Sequence, residues 1–149
     1  MVEAHRNLDE EGIRMDGSIT TSAAHHVKLT VSDVGRTRDF YTSLLGFEVA
    51  AEFGPVTLIS NGSFLIGLST APEPEEAITG DRFNENRIGL DHLSLGVADR
   101  QALELAAELL SERGVTHGEI NDLTPLGISV MTFRDPDNIQ LELTAPIAG

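Results

Sequence analysis

Three residues of this chain combine the side-chain types that hold a divalent metal: the imidazoles of His26 and His92 and the carboxylate of Glu142. Each lies in a stretch where apolar and polar residues alternate. His26 opens His26-Val27-Lys28-Leu29-Thr30-Val31-Ser32, His92 precedes Leu93-Ser94-Leu95-Gly96-Val97, and Glu142 stands within Ile139-Gln140-Leu141-Glu142-Leu143. Alternation marks a strand with one buried face, and in each stretch the apolar residues take one face and the named residue takes the other. Two imidazoles and one carboxylate on one side of a metal leave coordination positions open, an arrangement that suits Fe(II) or Mn(II). Taken singly, each residue also has an ordinary reading as a solvated strand side chain. His25 would replace His26 only through a one-residue slip, which would turn Val27, Leu29 and Val31 outward.

The elements that must position these residues follow an order that occurs twice. After the first strand, Phe40, Tyr41, Leu44 and Leu45 form an apolar stripe on a helix expected over Thr37 to Leu45, ended by Gly46. Strands are expected at Phe47 to Phe53, Val56 to Ser60 and Phe64 to Ser69, separated by Gly54-Pro55 and by the hairpin signal Asn61-Gly62. The second half repeats this pattern. Leu90 to Val97 alternates, Asp99 can cap a helix running to about Arg113 with Leu103, Ala106, Leu109 and Leu110 as its stripe, and strands are expected at Val115 to Ile120, Ile128 to Arg134 and Ile139 to Thr144. The turn Asp135-Pro136-Asp137-Asn138 introduces the last strand. The fold class is therefore α+β, with two βαβββ modules at 23–70 and 88–146, an acidic Pro-containing linker at 71–87 and an N-terminal arm at 1–22. Aligning the modules places His26 on His92 and the strand of Phe64 to Leu68 on that of Ile139 to Leu143. Two modules facing each other would bring His26, His92 and Glu142 toward one point.

Charge narrows the partners. Ten basic against 24 acidic residues give a net charge of −14, which repels nucleic-acid phosphates and anionic lipid surfaces. The expected partner is a small molecule, with no nucleic acid and no membrane. No cysteine is present, which fits a reducing cytoplasm, and no apolar run of the roughly 18 residues needed to cross a bilayer occurs.

The segments HVKLTVSD, RDFYTSLLGFEV, DHLSLGVAD and FRDPDNIQLEL, as they stand in this chain, resemble the vicinal oxygen chelate superfamily, which includes glyoxalase I, extradiol dioxygenases, fosfomycin-resistance enzymes and bleomycin-resistance proteins. The likeness spans about Ala24 to Ala145. It implies a concave, cup-shaped mixed sheet, with His26 and His92 at the first-strand ligand positions and Glu142 at the last-strand position. It also implies a divalent ion, Fe2+ or Mn2+ favoured with Zn2+, Ni2+ or Mg2+ also fitting, and a small substrate that chelates the ion through adjacent oxygens. The chemistry would be dioxygenase-like or lyase/isomerase-like. Gly67 stands where glyoxalase I carries a fourth ligand, so ordinary glyoxalase I activity is not expected. Thr132 stands near the place of the extradiol-dioxygenase tyrosine, and Tyr41, the one tyrosine, belongs to a helix stripe. The rival reading is a protein that sequesters a small ligand in the same cup without catalysis. Related chains bury the edge strands of such modules by association, so a homodimer is expected.

Overall fold

A computed structural model describes residues 16–147, so most of the expected N-terminal arm, with His5, lies outside the described residues. Two four-stranded sheets follow one plan. In the first, β1 (His26–Thr30), β2 (Glu48–Phe53), β3 (Val56–Ser60) and β4 (Leu65–Ser69) are ordered β1-β4-β3-β2, with α1 (Val34–Leu44) after β1. In the second, β5 (Leu93–Gly96), β6 (Asn121–Leu123), β7 (Ile128–Arg134) and β8 (Gln140–Pro146) are ordered β5-β8-β7-β6, with α2 (Arg100–Glu112) after β5. In each module the first strand runs parallel to the last, and the remaining pairs are antiparallel. This is the expected βαβββ plan, twice over.

Local chemistry sets the helix ends. The Asp33 side chain accepts from the backbone N–H of Arg36 at 2.9 Å, so α1 starts three residues before the expected Thr37. Asp99 caps α2 in the same way through Ala102 at 2.9 Å. Gly46 and Gly114 follow the helices with φ of 71° and 67°, a conformation that glycine adopts without steric cost.

One expected strand is displaced. Residues 115–120 form no regular ladder, and the second strand of the second module is β6, beyond them. Val115 and Ile120 pack against the core, while Gly118 N–H donates to Thr132 O and Arg134 N–H to Thr116 O. The His117 ring is held by Ser111 Oγ at 2.7 Å and by Gly118 O at 2.8 Å. These contacts tie the segment to β7 and α2 and interrupt the alternation.

The apolar faces of both sheets feed one continuous core. Leu29, Ile59, Ile66 and Leu68 meet Tyr41 and Phe47 in the first module, and Met131, Phe133, Leu141 and Leu143 meet Leu103 and Leu110 in the second. Polar bonds join the modules beside this core. Tyr41 OH donates to Asp135 Oδ2 at 3.2 Å, Ser32 N–H donates to Asp137 Oδ2 at 3.0 Å, and Arg36 pairs with Asp137 at 3.4 Å. The faces carrying His26, Lys28 and Thr30 in one sheet and Ser94, Glu142 and Thr144 in the other stay exposed or half-buried.

Burial pushes the Asp135 carboxyl from an ordinary 3.8 up to about 6, against the opposing pull of hydrogen bonds from the backbone of Ile139 and Asp137 and from Tyr41. Between these values the folded protein keeps a proton that the unfolded chain has released. The stabilising share of this group is therefore complete below 3.8 and is lost as pH rises through about 6. Urea midpoints of wild type and Asp135→Asn, compared across this window, should show the wild-type advantage declining with pH. A pH-independent difference would rule out the assigned linkage.

Candidate metal centre

Strand register assembles the open face of the second sheet. Ser94 on β5 pairs with Glu142 on β8, which pairs with Thr132 on β7, so the three share one face. His92, two residues before Ser94 and just ahead of β5, extends the same row. Its Nε2 lies 3.5 Å from Glu142 Oε1, and its Nδ1 lies 2.7 Å from Asp91 Oδ1. Thr144 Oγ1 donates to Glu142 Oε1 at 3.1 Å and is itself bonded to Ser94 Oγ, so the carboxylate is fixed from below. Glu142 is the more enclosed of the pair, its side chain 14% exposed against 37% for His92.

The separation of His92 Nε2 and Glu142 Oε1 exceeds that of a good hydrogen bond. It suits two ligands of one ion: bonds of about 2.1 Å meeting at about 110° place donor atoms ~3.4 Å apart. The module thus offers one nitrogen and one oxygen donor in a geometry that fits a divalent cation.

His26 does not join them within the chain. It sits on β1 opposite Leu65 of β4, with Lys28 and Thr30 on the same face and Gly67 opposite Lys28. Among the described residues, no three His, Asp or Glu side chains are placed to hold a metal ion. Gly67 leaves the middle of this face without a donor, and a Cβ there would meet Lys28 Cγ at 3.4 Å and the side chains of Leu58 and Val56 at 3.6 Å. The first module therefore presents His26 and Lys28 beside an apolar surface that ends at Phe53, which is 78% exposed. Alternation along β1 would turn His25 away from His26. Instead its Nδ1 lies 2.8 Å from His26 Nδ1, because His25 precedes β1 and escapes strand alternation.

A cavity of about 850 Å³ lies elsewhere, at the module junction, with Val31, Arg36, Phe83 and Asp137 among its walls. None of His26, His92 and Glu142 lines it. Their faces lie open on the two sheets, exposed or half-buried in the single chain.

Sequence reasoning passed over Asp91, Arg134 and Glu85. Gln140 Nε2 donates to Asp91 Oδ1 at 2.9 Å, Arg134 approaches Gln140 Oε1 at 3.4 Å, and both terminal nitrogens of Arg134 clasp Glu85, at 2.9 and 2.7 Å. The Arg134 hydrogen bonds hold Glu85 down at about 2. The expected linker is thus tied to the open face of the second sheet. One signal for Asp91 was in the repeat, which pairs it with His25 as the residue before each histidine.

Residues 23–143 match the Glyoxalase/Bleomycin resistance protein/Dioxygenase superfamily, and the chain belongs to that superfamily. The Bacillus subtilis (strain 168) protein YwkD is 32% identical over 126 residues, covering 80% of this chain and 93% of that protein. Among solved structures, a glyoxylase/bleomycin resistance protein/dioxygenase domain from Frankia sp. EAN1pec superposes with a TM-score of 0.72 at 29% identity, covering 87% of this chain and 96% of that one. A lactoylglutathione lyase from Agrobacterium tumefaciens gives a TM-score of 0.66 at 18% identity over 84% of this chain and 94% of its own, a likeness of fold alone.

The two faces of β8 should answer differently to substitution. Leu141 is fully buried, so Leu141→Ala should cost about 2–5 kcal/mol in urea unfolding. Glu142→Gln, on the open face, should cost about 0.5 kcal/mol or less. Equal losses would mean that the core depends on both faces.

Proposed function

We propose that this chain is a metal-dependent enzyme acting in the cytoplasm on a small substrate that presents two adjacent oxygens, with His92 and Glu142 of one copy and His26 of a second copy as the metal ligands. The observation that carries the reading is the facing pair of His92 Nε2 and Glu142 Oε1 at 3.5 Å, each held by a second polar side chain. The pair is incomplete within one chain, and the first module offers its histidine on an equally open face. A homodimer that sets these faces against each other completes the donor set and encloses the substrate.

A bound divalent ion, Fe(II) or Mn(II) favoured by two imidazoles and one carboxylate, supplies Lewis-acid polarisation of substrate oxygens. The chain's own residues do the rest. Glu142 balances the positive charge, and the Thr144 hydroxyl fixes its rotamer. Thr132, beside Glu142 in the ladder, can offer a hydroxyl to the substrate. Lys28, on the face of His26, provides a cation for an anionic group, while Val56, Leu58 and Phe53 cover apolar parts and exclude water.

The apolar face around Gly67 favours one rival, a protein that sequesters an apolar ligand without chemistry. Metal dependence separates the two. In the enzymatic reading, metal-free protein titrated with Mn(II) should bind stoichiometrically, and His92→Ala and Glu142→Gln should each lose about two orders of magnitude in affinity with unchanged circular dichroism. Variants that bind metal as wild type does would reject the ligand set. Sedimentation at micromolar concentration should show a dimer, and a species of only 16.0 kDa would remove His26 from the site.

A further inference from the structure

We infer that Asp91 is the positioning residue of the site: its carboxylate sets the His92 ring as the Nδ1–H tautomer and so leaves Nε2 as a lone pair directed at Glu142. The inference rests on the metal reading above and names what prepares the histidine for its role. A carboxylate only accepts hydrogen bonds, so with Asp91 Oδ1 2.7 Å from His92 Nδ1 the shared proton belongs to the ring nitrogen. On the other side of the ring, Nε2 stands 3.5 Å from Glu142 Oε1, too far for a normal hydrogen bond, and needs no proton.

Asp91 is itself held in place. Gln140 Nε2 donates to Asp91 Oδ1 at 2.9 Å and approaches the Asp91 backbone carbonyl at 3.3 Å. The Gln140 carbonyl faces Arg134, whose guanidinium is anchored on Glu85. A side chain that is 63% exposed contributes little to the core, yet this one sits at the end of a relay of four polar groups. Packing does not account for that. The first module shows the contrast: His25 occupies the matching place and its Nδ1 meets His26 Nδ1 at 2.8 Å, but an imidazole can either donate or accept. Only the second module fixes its histidine in one tautomer by chemistry alone.

The test uses the metal-free, 15N-labelled full chain at pH 8, where long-range 1H–15N correlation reads which nitrogen of His92 carries the proton, followed by Mn(II) titration of the same samples. Wild type should show Nδ1–H. Asp91→Ala should shift His92 toward the Nε2–H form that free histidine prefers and weaken Mn(II) binding by about 10- to 100-fold. Asp91→Asn, whose amide oxygen still accepts, should restore both signals. Circular dichroism checks that the variants are folded. A tautomer unchanged in Asp91→Ala would overturn the inference, as would a shifted tautomer with unchanged Mn(II) affinity. Wild type that shows Nδ1–H but takes up no Mn(II) would overturn the metal reading and this role with it, and the tautomer signal keeps that failure distinct from the other two.

Discussion

Everything at the open face of the second sheet depends on one hydrophobic constraint, the alternation along β8. Leu141, Leu143 and Ala145 are buried, while Gln140, Glu142 and Thr144 take the other side. Burying a leucine side chain contributes roughly 1.5–3 kcal/mol, so the strand is pinned by its inner face. A slip of one residue would force the Glu142 carboxylate into that core, where an unpaired charge costs far more than any contact it could gain. The parallel ladder with β5 then carries the register across, aligning Ser94 with Glu142 and leaving His92 at the entry to its strand. The polar pair stays fixed because the residues between and behind it have nowhere else to go.

The same economy appears at the turn before β8. Asp135 Oδ1 accepts the backbone N–H groups of Asp137 and Ile139, each at 2.9 Å, and Oδ2 receives the Tyr41 hydroxyl. One buried side chain thus closes the turn, starts the strand and ties the first module's helix to the second module's sheet. Asn138 completes the turn at a φ of 66°, a region that asparagine tolerates better than most residues, and its side chain reaches Phe83 O at 2.9 Å. The modules therefore meet around Tyr41 and this turn, and their histidine-bearing faces remain free to meet something else.

Much of this was legible because strand faces obey a period of two. Val27, Leu29 and Val31 face the core and His26 and Lys28 do not, as the alternation required, and the repeat identified His26 and His92 as equivalents. The parts that could not be read were those where the backbone leaves regular geometry. Asp33 extends α1 because its carboxylate captures a free N–H, an effect outside the apolar stripe. The segment at 115–120 follows its hydrogen bonds to β7 instead of its own alternation. His25 and Asp91 stand before their strands, where the period gives no instruction, and each turns its side chain back to the neighbouring histidine. Contacts between residues distant in the chain, such as that of Arg134 with Glu85, leave no local trace.

Which faces would meet in the proposed dimer follows from their unequal chemistry. A twofold axis allows two closed pairings: each module against its own copy, or the first module of one chain against the second of the other. The first pairing sets Glu142 against Glu142 and Lys28 against Lys28, in a chain whose net charge is already −14. Like charges placed opposite each other across a partly dry interface repel. The second pairing sets the His26 and Lys28 face against the face that holds Glu142, and does so twice by symmetry. It also turns the apolar surface around Leu58 toward the polar row of Ser94, Thr132 and Thr144, giving each cup one greasy wall and one hydrogen-bonding wall. In the proposed dimer, electrostatics and the demands of a small oxygen-bearing substrate would select the same arrangement, the one in which each module's open face needs the partner's complement.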